Sequence, residues 1–264
     1  MSSEISLQPI FDIAKRAGAA ILDVYAGHFQ VTDKADQSPL TIADLRSHEV
    51  ITEGLRNLDP TIPVLSEEAS SIAFEVRSTW KRYWLVDPLD GTREFVSRNG
   101  EFTVNIALIE NHEPVAGIVY VPVTDTLYFG TRASGASRIV KSGVAERINV
   151  RPAQSPLRVV GSRSHRDAEF ANLLPRLEPC ELVSVGSSIK FCLVAEGNAD
   201  FYPRFGPTSE WDTAAAQAVL EAAGGAVVTF DGAPLRYNTK ASLLNPSFIA
   251  FGDRNRDWLK YLAG

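Results

Sequence analysis

The sequence predicts an α/β chain in two parts, an α+β first half and an α/β second half, and three observations carry this prediction. Residues 8–26 place Ile10, Ile13, Ala14, Ala17, Ile21 and Val24 at helical spacing. Residues 102–129 instead break into short β-rich runs divided by turn signals. Beyond Arg151-Pro152 short apolar runs alternate with helical stretches, the pattern of a sheet covered by helices.

Taken in order, the first helix is followed by a second over about Thr41–Asn57, stopped by Asp59-Pro60. A short strand at Ile62–Leu65 and another at Tyr83–Val86 come next, the latter breaking at Asp87-Pro88. Thr103–Ile109, Val115–Val121 and Thr126–Phe129 read as an antiparallel meander, with a further hairpin turn at Arg132–Gly135. In the second half, strands at Leu157–Val160 and Leu182–Val185 lead to helices after Asp167 and Ser187. Ala199–Tyr202 reads as a short strand, Asp212–Ala223 as a helix closed by Gly224-Gly225, and Ala226–Phe230 as a strand. Two subdomains, 1–150 and 151–264, are the simplest account, with the cleft between them as the default place for a site.

Composition narrows the function classes. A hydrophobic share of 45% with 22% charged residues can bury a sizeable core. The formal net charge of −6 argues against a nucleic-acid polymer as partner. No apolar run approaches the roughly 20 residues that span a bilayer, and Met1–Gln8 has no signal-peptide pattern. Cys180 and Cys192 make neither a disulfide framework nor a metal-ligand pair. A cytoplasmic enzyme is expected, with a peripheral visit to the inner membrane left open; oligomeric state is not legible.

Four segments carry carboxylates that the chain can bring together. Pro88 keeps Asp87 extended, Gly91 allows a sharp turn after Asp90, and Thr92 can open a short helix. Two carboxylates at a strand end beside a helix N-terminus suit a hard divalent cation and a phosphate oxygen. The other segments are Glu67-Glu68, Asp212, and Asp44 within Thr41-Ile42-Ala43-Asp44. Each also has a plain reading: Asp212 as a helix N-cap, Thr41 and Asp44 as a capping box, Glu67-Glu68 as a solvated pair, and Asp87 to Gly91 as a turn.

In combination these segments are recognisable. Lys34…Asp36-x-Ser38-Pro39-x-Thr41-x-Ala43-Asp44, Leu65-Ser66-Glu67-Glu68, Trp84-Leu85-Val86-Asp87-Pro88-Leu89-Asp90-Gly91-Thr92 and Glu210-Trp211-Asp212 resemble the inositol monophosphatase superfamily of lithium-sensitive, magnesium-dependent phosphomonoesterases, over essentially the whole chain. Arg93-Glu94-Phe95, Gly161–His165, Gly186–Gly197 and Ala199–Pro207 resemble its bacterial CysQ-type 3'(2'),5'-bisphosphate nucleotidase branch. Arg93 stands where that branch carries Lys, keeping the charge but not the hydrogen-bond geometry.

The resemblance implies a layered αβαβα sandwich and two Mg2+ ions, with a third, weaker ion near Glu67 as a family variant. Glu67, Asp87 and the Leu89 carbonyl would hold one ion; Asp87, Asp90 and Asp212 would hold the other. It further implies direct attack of water on phosphorus, with Thr92 and Asp44 orienting and deprotonating that water. Leu89, Asp90, Gly91, Thr92 and Asp212 would contact the substrate, with the N–H groups of Gly91 and Thr92 on the phosphate. Ser162, Arg163, His165, Ser188 and Lys190, in small polar loops, are candidates for a second phosphate and the ribose. Their plain readings are a solvated helix lysine at 190 and an ordinary loop histidine at 165; Tyr202 is either base-stacking or core. The expected substrate is adenosine 3',5'-bisphosphate, with its sulfated derivative second. An inositol or sugar phosphate is the alternative, and a non-catalytic nucleotide sensor is disfavoured by the intact carboxylate set.

Overall fold

The computed structural model describes residues 6–28, 30–33, 39–162, 168–177 and 179–262. The chain opens with α1 (Gln8–Ala26), a two-stranded ribbon of β1 (Val31–Asp33) and β2 (Pro39–Thr41), and α2 (Ile42–Leu58). The first half continues through β3 (Val64–Ser66), α3 (Phe74–Arg77), β4 (Arg82–Asp90) and α4 (Thr92–Val96). It closes with the meander β5 (Thr103–Glu110), β6 (Glu113–Val121), β7 (Thr126–Thr131), β8 (Gly135–Val140) and β9 (Glu146–Ile148). The second half runs β10 (Leu157–Ser162), α5 (Ala168–Leu173), β11 (Cys180–Val185), α6 (Ile189–Ala195), β12 (Phe201–Arg204), α7 (Glu210–Ala222), β13 (Ala226–Thr229) and β14 (Phe248–Phe251).

Strands β3 to β9 form one seven-stranded sheet in chain order, and the second sheet has the order β11-β10-β12-β14-β13. The first sheet is buried on both faces: β4 has seven consecutive buried residues, Tyr83 to Leu89. One face packs Trp84, Val86, Ile106 and Ile118 against α1 and α2, through Ile10, Ala14, Ile21 and Ile51. The other packs Leu85, Ala107 and Val119 against α6 and α7, whose far side meets Tyr202, Val227 and Phe248 of the second sheet. Leu173, Leu177, Trp258 and Tyr261 cover the outer face of that sheet, completing an αβαβα sandwich. Close approach of α7 to the first sheet depends on Gly117, where a Cβ would lie 2.1 Å from the Ala215 carbonyl oxygen.

The meander matches the sequence expectation in order and sense. Two boundaries beside the cleft differ, each for a physical reason. Strand β4 does not break at Asp87-Pro88 but runs to Asp90, absorbing the proline in a register shift against β5. There the Pro88 carbonyl accepts the Ser47 hydroxyl at 2.7 Å, which ties the strand end to α2. Helix α7 begins two residues earlier than expected because Ser209 is its N-cap, so Asp212 is the third helical residue and not the cap. The second sheet is mixed: β10 pairs parallel with β11 and β12, whereas β12 and β13 both pair antiparallel with β14. Cys192 is buried and Cys180 half-buried, and both are free thiols. Among the described residues no helix is long and apolar enough to cross a membrane.

Candidate metal centre and cleft

The strand end and the two helix starts converge. Asp87, Asp90 and Asp212 each place a carboxylate oxygen within 4.8 Å of the others; Asp87 is buried, while Asp90 and Asp212 are partly open to the cleft. Asp87 accepts the Leu89 N–H at 3.1 Å, and its carboxyl group also shares a hydrogen bond with Glu67. Asp90 is fixed by three donors on one oxygen: the Ser188 N–H at 2.6 Å, Asn105 Nδ2 at 3.3 Å and the Thr103 hydroxyl at 3.4 Å. Asp212 accepts the Ser209 N–H at 2.8 Å in a capping box. Gly91 sits at φ +93°, where a side chain would be strained, and turns the chain from β4 into α4.

Burial, reinforced by the neighbouring charges of Glu67, Asp90 and Asp212, pushes the Asp87 carboxyl well above the usual carboxylate range. Burial and the charges of Asp90 and Glu67 push Asp212 up to about 8. Such a set takes up protons unless a cation neutralises it, and its donors are all oxygen. Glu67, Asp87, Asp90 and Asp212 therefore fit a hard divalent cation rather than a thiolate- or imidazole-seeking metal.

Asp44 answers to two partners at once. Its Oδ2 accepts the Thr41 N–H at 2.8 Å and the Thr41 hydroxyl at 2.7 Å, completing the expected capping box. Its Oδ1 lies 3.3 Å from the Thr92 hydroxyl, which also has the Leu89 carbonyl at 3.4 Å. The hydroxyl proton serves one of these acceptors at a time.

Beside the carboxylates lies a cleft of about 340 Å³ lined by Glu67, Asp90, Gly91, Thr92, Ser162, Ser188, Lys190 and Asp212, all expected from the sequence. Leu89 is buried beneath it and offers its carbonyl rather than its side chain. Ser188 is 2% exposed, with its hydroxyl given to Asn105 at 2.8 Å and its N–H to Asp90, so it holds that carboxylate in place. Lys190 is buried, not a solvated helix lysine: burial lowers its ammonium to about 8, against the opposing pull of Asp90. Its Nζ lies 5.7 Å from the Tyr202 ring, and Tyr202 both lines the cleft and packs edge-on against Phe191. Arg163 and His165, with Lys34, Asp36 and Ser38 of the first motif, lie outside the described residues.

The cleft contains residues that sequence reasoning did not assign. Arg204 lines it, held by its Nε to the Gly206 carbonyl at 3.1 Å and its Nη2 to the Pro207 carbonyl at 3.0 Å. Trp211 and Leu244 give the same wall an apolar part. The available signal for Arg204 was a lone arginine ending the Phe201–Arg204 strand before Gly206-Pro207.

Comparison with known proteins agrees with this geometry. The sequence profile described as the inositol monophosphatase family matches residues 6–259. The chain belongs to the inositol monophosphatase family. Among its members, the 3'(2'),5'-bisphosphate nucleotidase CysQ of Escherichia coli strain K12 is 53% identical over 244 residues, covering 92% of this chain and 98% of the relative. The crystal structure of CysQ from Bacteroides thetaiotaomicron, a bacterial member of the family, superposes with a TM-score of 0.81 at 44% identity, covering 94% of this chain and 97% of that one. The extragenic suppressor protein suhB of Bartonella henselae shares the family fold, with a TM-score of 0.80 at 24% identity over 97% of this chain and 98% of its own. Enzymes of this family are metal-dependent, and the acidic cluster here could hold a metal ion.

Proposed function

We propose that this family member is a Mg2+-dependent 3'(2'),5'-bisphosphate nucleotidase that hydrolyses adenosine 3',5'-bisphosphate to AMP and phosphate, with the 5'-phosphosulfate derivative as a second substrate. One observation carries the substrate class. The acidic cluster shares a single cleft with three cationic side chains, Arg93, Lys190 and Arg204, which supports a place for a retained phosphate beside the one to be cleaved. The 53% identity to a nucleotidase along 98% of its length supports the same reading.

Glu67, Asp87, Asp90 and Asp212, with the Leu89 carbonyl, would hold two Mg2+ ions. When bound, the ions supply Lewis acidity that makes a water more acidic and stabilises the leaving alkoxide. The chain's own residues supply the rest. Thr92, with its hydroxyl proton given to Asp44 rather than to the Leu89 carbonyl, would keep a lone pair to accept a proton from the attacking water. Asp44, oriented by Thr41, is the base at the end of that relay. The first N–H groups of α4 have no intrahelical partner, and those of Gly91 and Thr92 would bind the phosphate undergoing hydrolysis. Lys190 and Arg204 would hold the second phosphate, and Trp211 offers a ring face to the base.

The test is phosphate release, with Mg2+ and with EDTA, from adenosine 3',5'-bisphosphate, AMP and inositol 1-phosphate. The nucleotidase reading expects the highest kcat/KM for the bisphosphate, no release in EDTA, and inhibition by Li+. A preference for inositol 1-phosphate would make the chain a sugar-phosphate phosphatase using the same centre. Binding of the bisphosphate without turnover would make it a sensor.

A further inference from the structure

Residues 67–82 carry Glu67 away from the sheet edge, and only one of them is buried, namely Arg77. On the other side of Glu67, Ser66 is held by His48, whose Nδ1 lies 2.9 Å from the serine hydroxyl. Downstream of Glu67, Ile72 and Trp80 pack against the core, and Arg77 adds a buried polar anchor. This guanidinium is 2% exposed, and among the described residues it makes no ion pair and its side-chain hydrogen bonds go to one loop. Nη1 donates to Asn238 Oδ1, and Nη2 donates to the carbonyls of Lys240, at 3.1 Å, and Ala241. Asn238 returns the contact through Nδ2, which donates to the Arg77 carbonyl at 2.6 Å.

The same loop holds the start of α7. The Asn238 N–H donates to Glu210 Oε2 at 2.8 Å, and the Glu210 N–H donates to the Leu243 carbonyl at 2.8 Å. Glu210 is buried and stands two residues before Asp212. A fork of donors from the Glu67 segment thus closes on a loop that also grips the Asp212 helix. A guanidinium can make this fork and an ammonium cannot, because only the former presents planar donors in fixed directions.

We propose that Arg77, acting through Asn238 and Glu210, is a positioning residue that sets Glu67 against Asp212 and so tunes the affinity of the metal centre. The inference rests on reading the acidic cluster as that centre. A clasp that served stability alone would lower the melting temperature without changing metal affinity.

The experiment measures Mg2+ affinity by calorimetry, melting temperature in EDTA, and kcat at saturating Mg2+ for wild type, Arg77→Lys and Asn238→Gly. The glycine keeps the left-handed backbone at φ +56° and the N–H to Glu210 while removing the side chain that meets Arg77. A Phe201→Leu variant in the outer layer is the control for destabilisation alone. Loss of an outer-shell support typically weakens metal binding about 10- to 100-fold. Arg77→Lys and Asn238→Gly are expected to weaken Mg2+ by at least about tenfold. Saturating Mg2+ should restore most of kcat, and Phe201→Leu should melt earlier with unchanged affinity. Wild-type Mg2+ affinity in both variants overturns the positioning role while leaving the metal centre intact. Wild-type protein that binds no Mg2+ overturns the metal reading and this inference with it.

Discussion

Helices α2 and α7 both open with a hydroxyl N-cap and an aspartate three residues on, Thr41 with Asp44 and Ser209 with Asp212. In each, Oδ2 of the aspartate accepts the backbone N–H of the cap at 2.8 Å. The two differ in where the carboxylate otherwise looks. Asp44 is buried and turns Oδ1 toward the Thr92 hydroxyl, whereas Asp212 joins Asp87 and Asp90 on the cleft wall. A carboxylate has about four lone-pair sites, and a cap uses only one or two of them. Capping and a second role are therefore compatible here: the cap orients the carboxylate and leaves it lone pairs to spare.

Removing the charge at each helix start should separate the two roles. Asp212→Asn keeps an acceptor for the Ser209 N–H and deletes a metal ligand. Metal ions contribute several kcal/mol of charge stabilisation, so turnover should fall about 1000-fold at roughly 1.4 kcal/mol per tenfold. Calorimetry should show Mg2+ binding lost, with the melting temperature in EDTA equal to or above that of wild type, since repulsion is relieved. Normal turnover in this variant would mean that the cluster is not the metal centre. Asp44→Asn, by contrast, should lower kcat about 100-fold or more, the range of general acid–base catalysis, at unchanged Mg2+ affinity. Loss of metal binding there would move Asp44 out of proton transfer and into the ligand set.

The pH dependence of the metal effect sharpens the comparison further. In metal-free protein the raised carboxyls of Asp87 and Asp212 hold protons that the unfolded chain has released above its usual value near 4. The fold then binds more protons than the unfolded state, so metal-free stability falls as pH rises from about 4 toward the Asp212 value of about 8. Mg2+ replaces those protons. The rise in melting temperature at one fixed Mg2+ concentration should be larger at pH 8 than at pH 5.5, and an increment independent of pH would contradict this. The smallest effect belongs to the cap alone: Thr41→Ala should cost about 1 kcal/mol, roughly 2–4 °C in melting temperature. Mg2+ affinity should not change, and kcat should fall less than in Asp44→Asn.

Much of this architecture was legible because its signals are short-range. The period of α1, the turns of the meander and the Thr41 to Asp44 box are written within a few residues of one another, where local sterics and hydrogen bonds decide. The order of the carboxylate segments likewise pointed to Glu67, Asp87, Asp90 and Asp212 as a group. Three things could not be read that way. The strand continues through Pro88 with a register shift, and Ser47, from α2, donates its hydroxyl to the proline carbonyl there. Lys190 is lowered because α6 buries it beside the Tyr202 ring, against the opposing pull of Asp90. Arg204 reaches the cleft, and Arg77 meets the loop that also bonds Glu210 at the start of α7, through residues far apart in the chain.

The sequence alone therefore determined which residue types the centre has and the local turns and caps that present them. Tertiary structure decided their distances, their burial and the residues that hold them, because a carboxylate's charge state depends on every group packed around it, whatever its place in the chain.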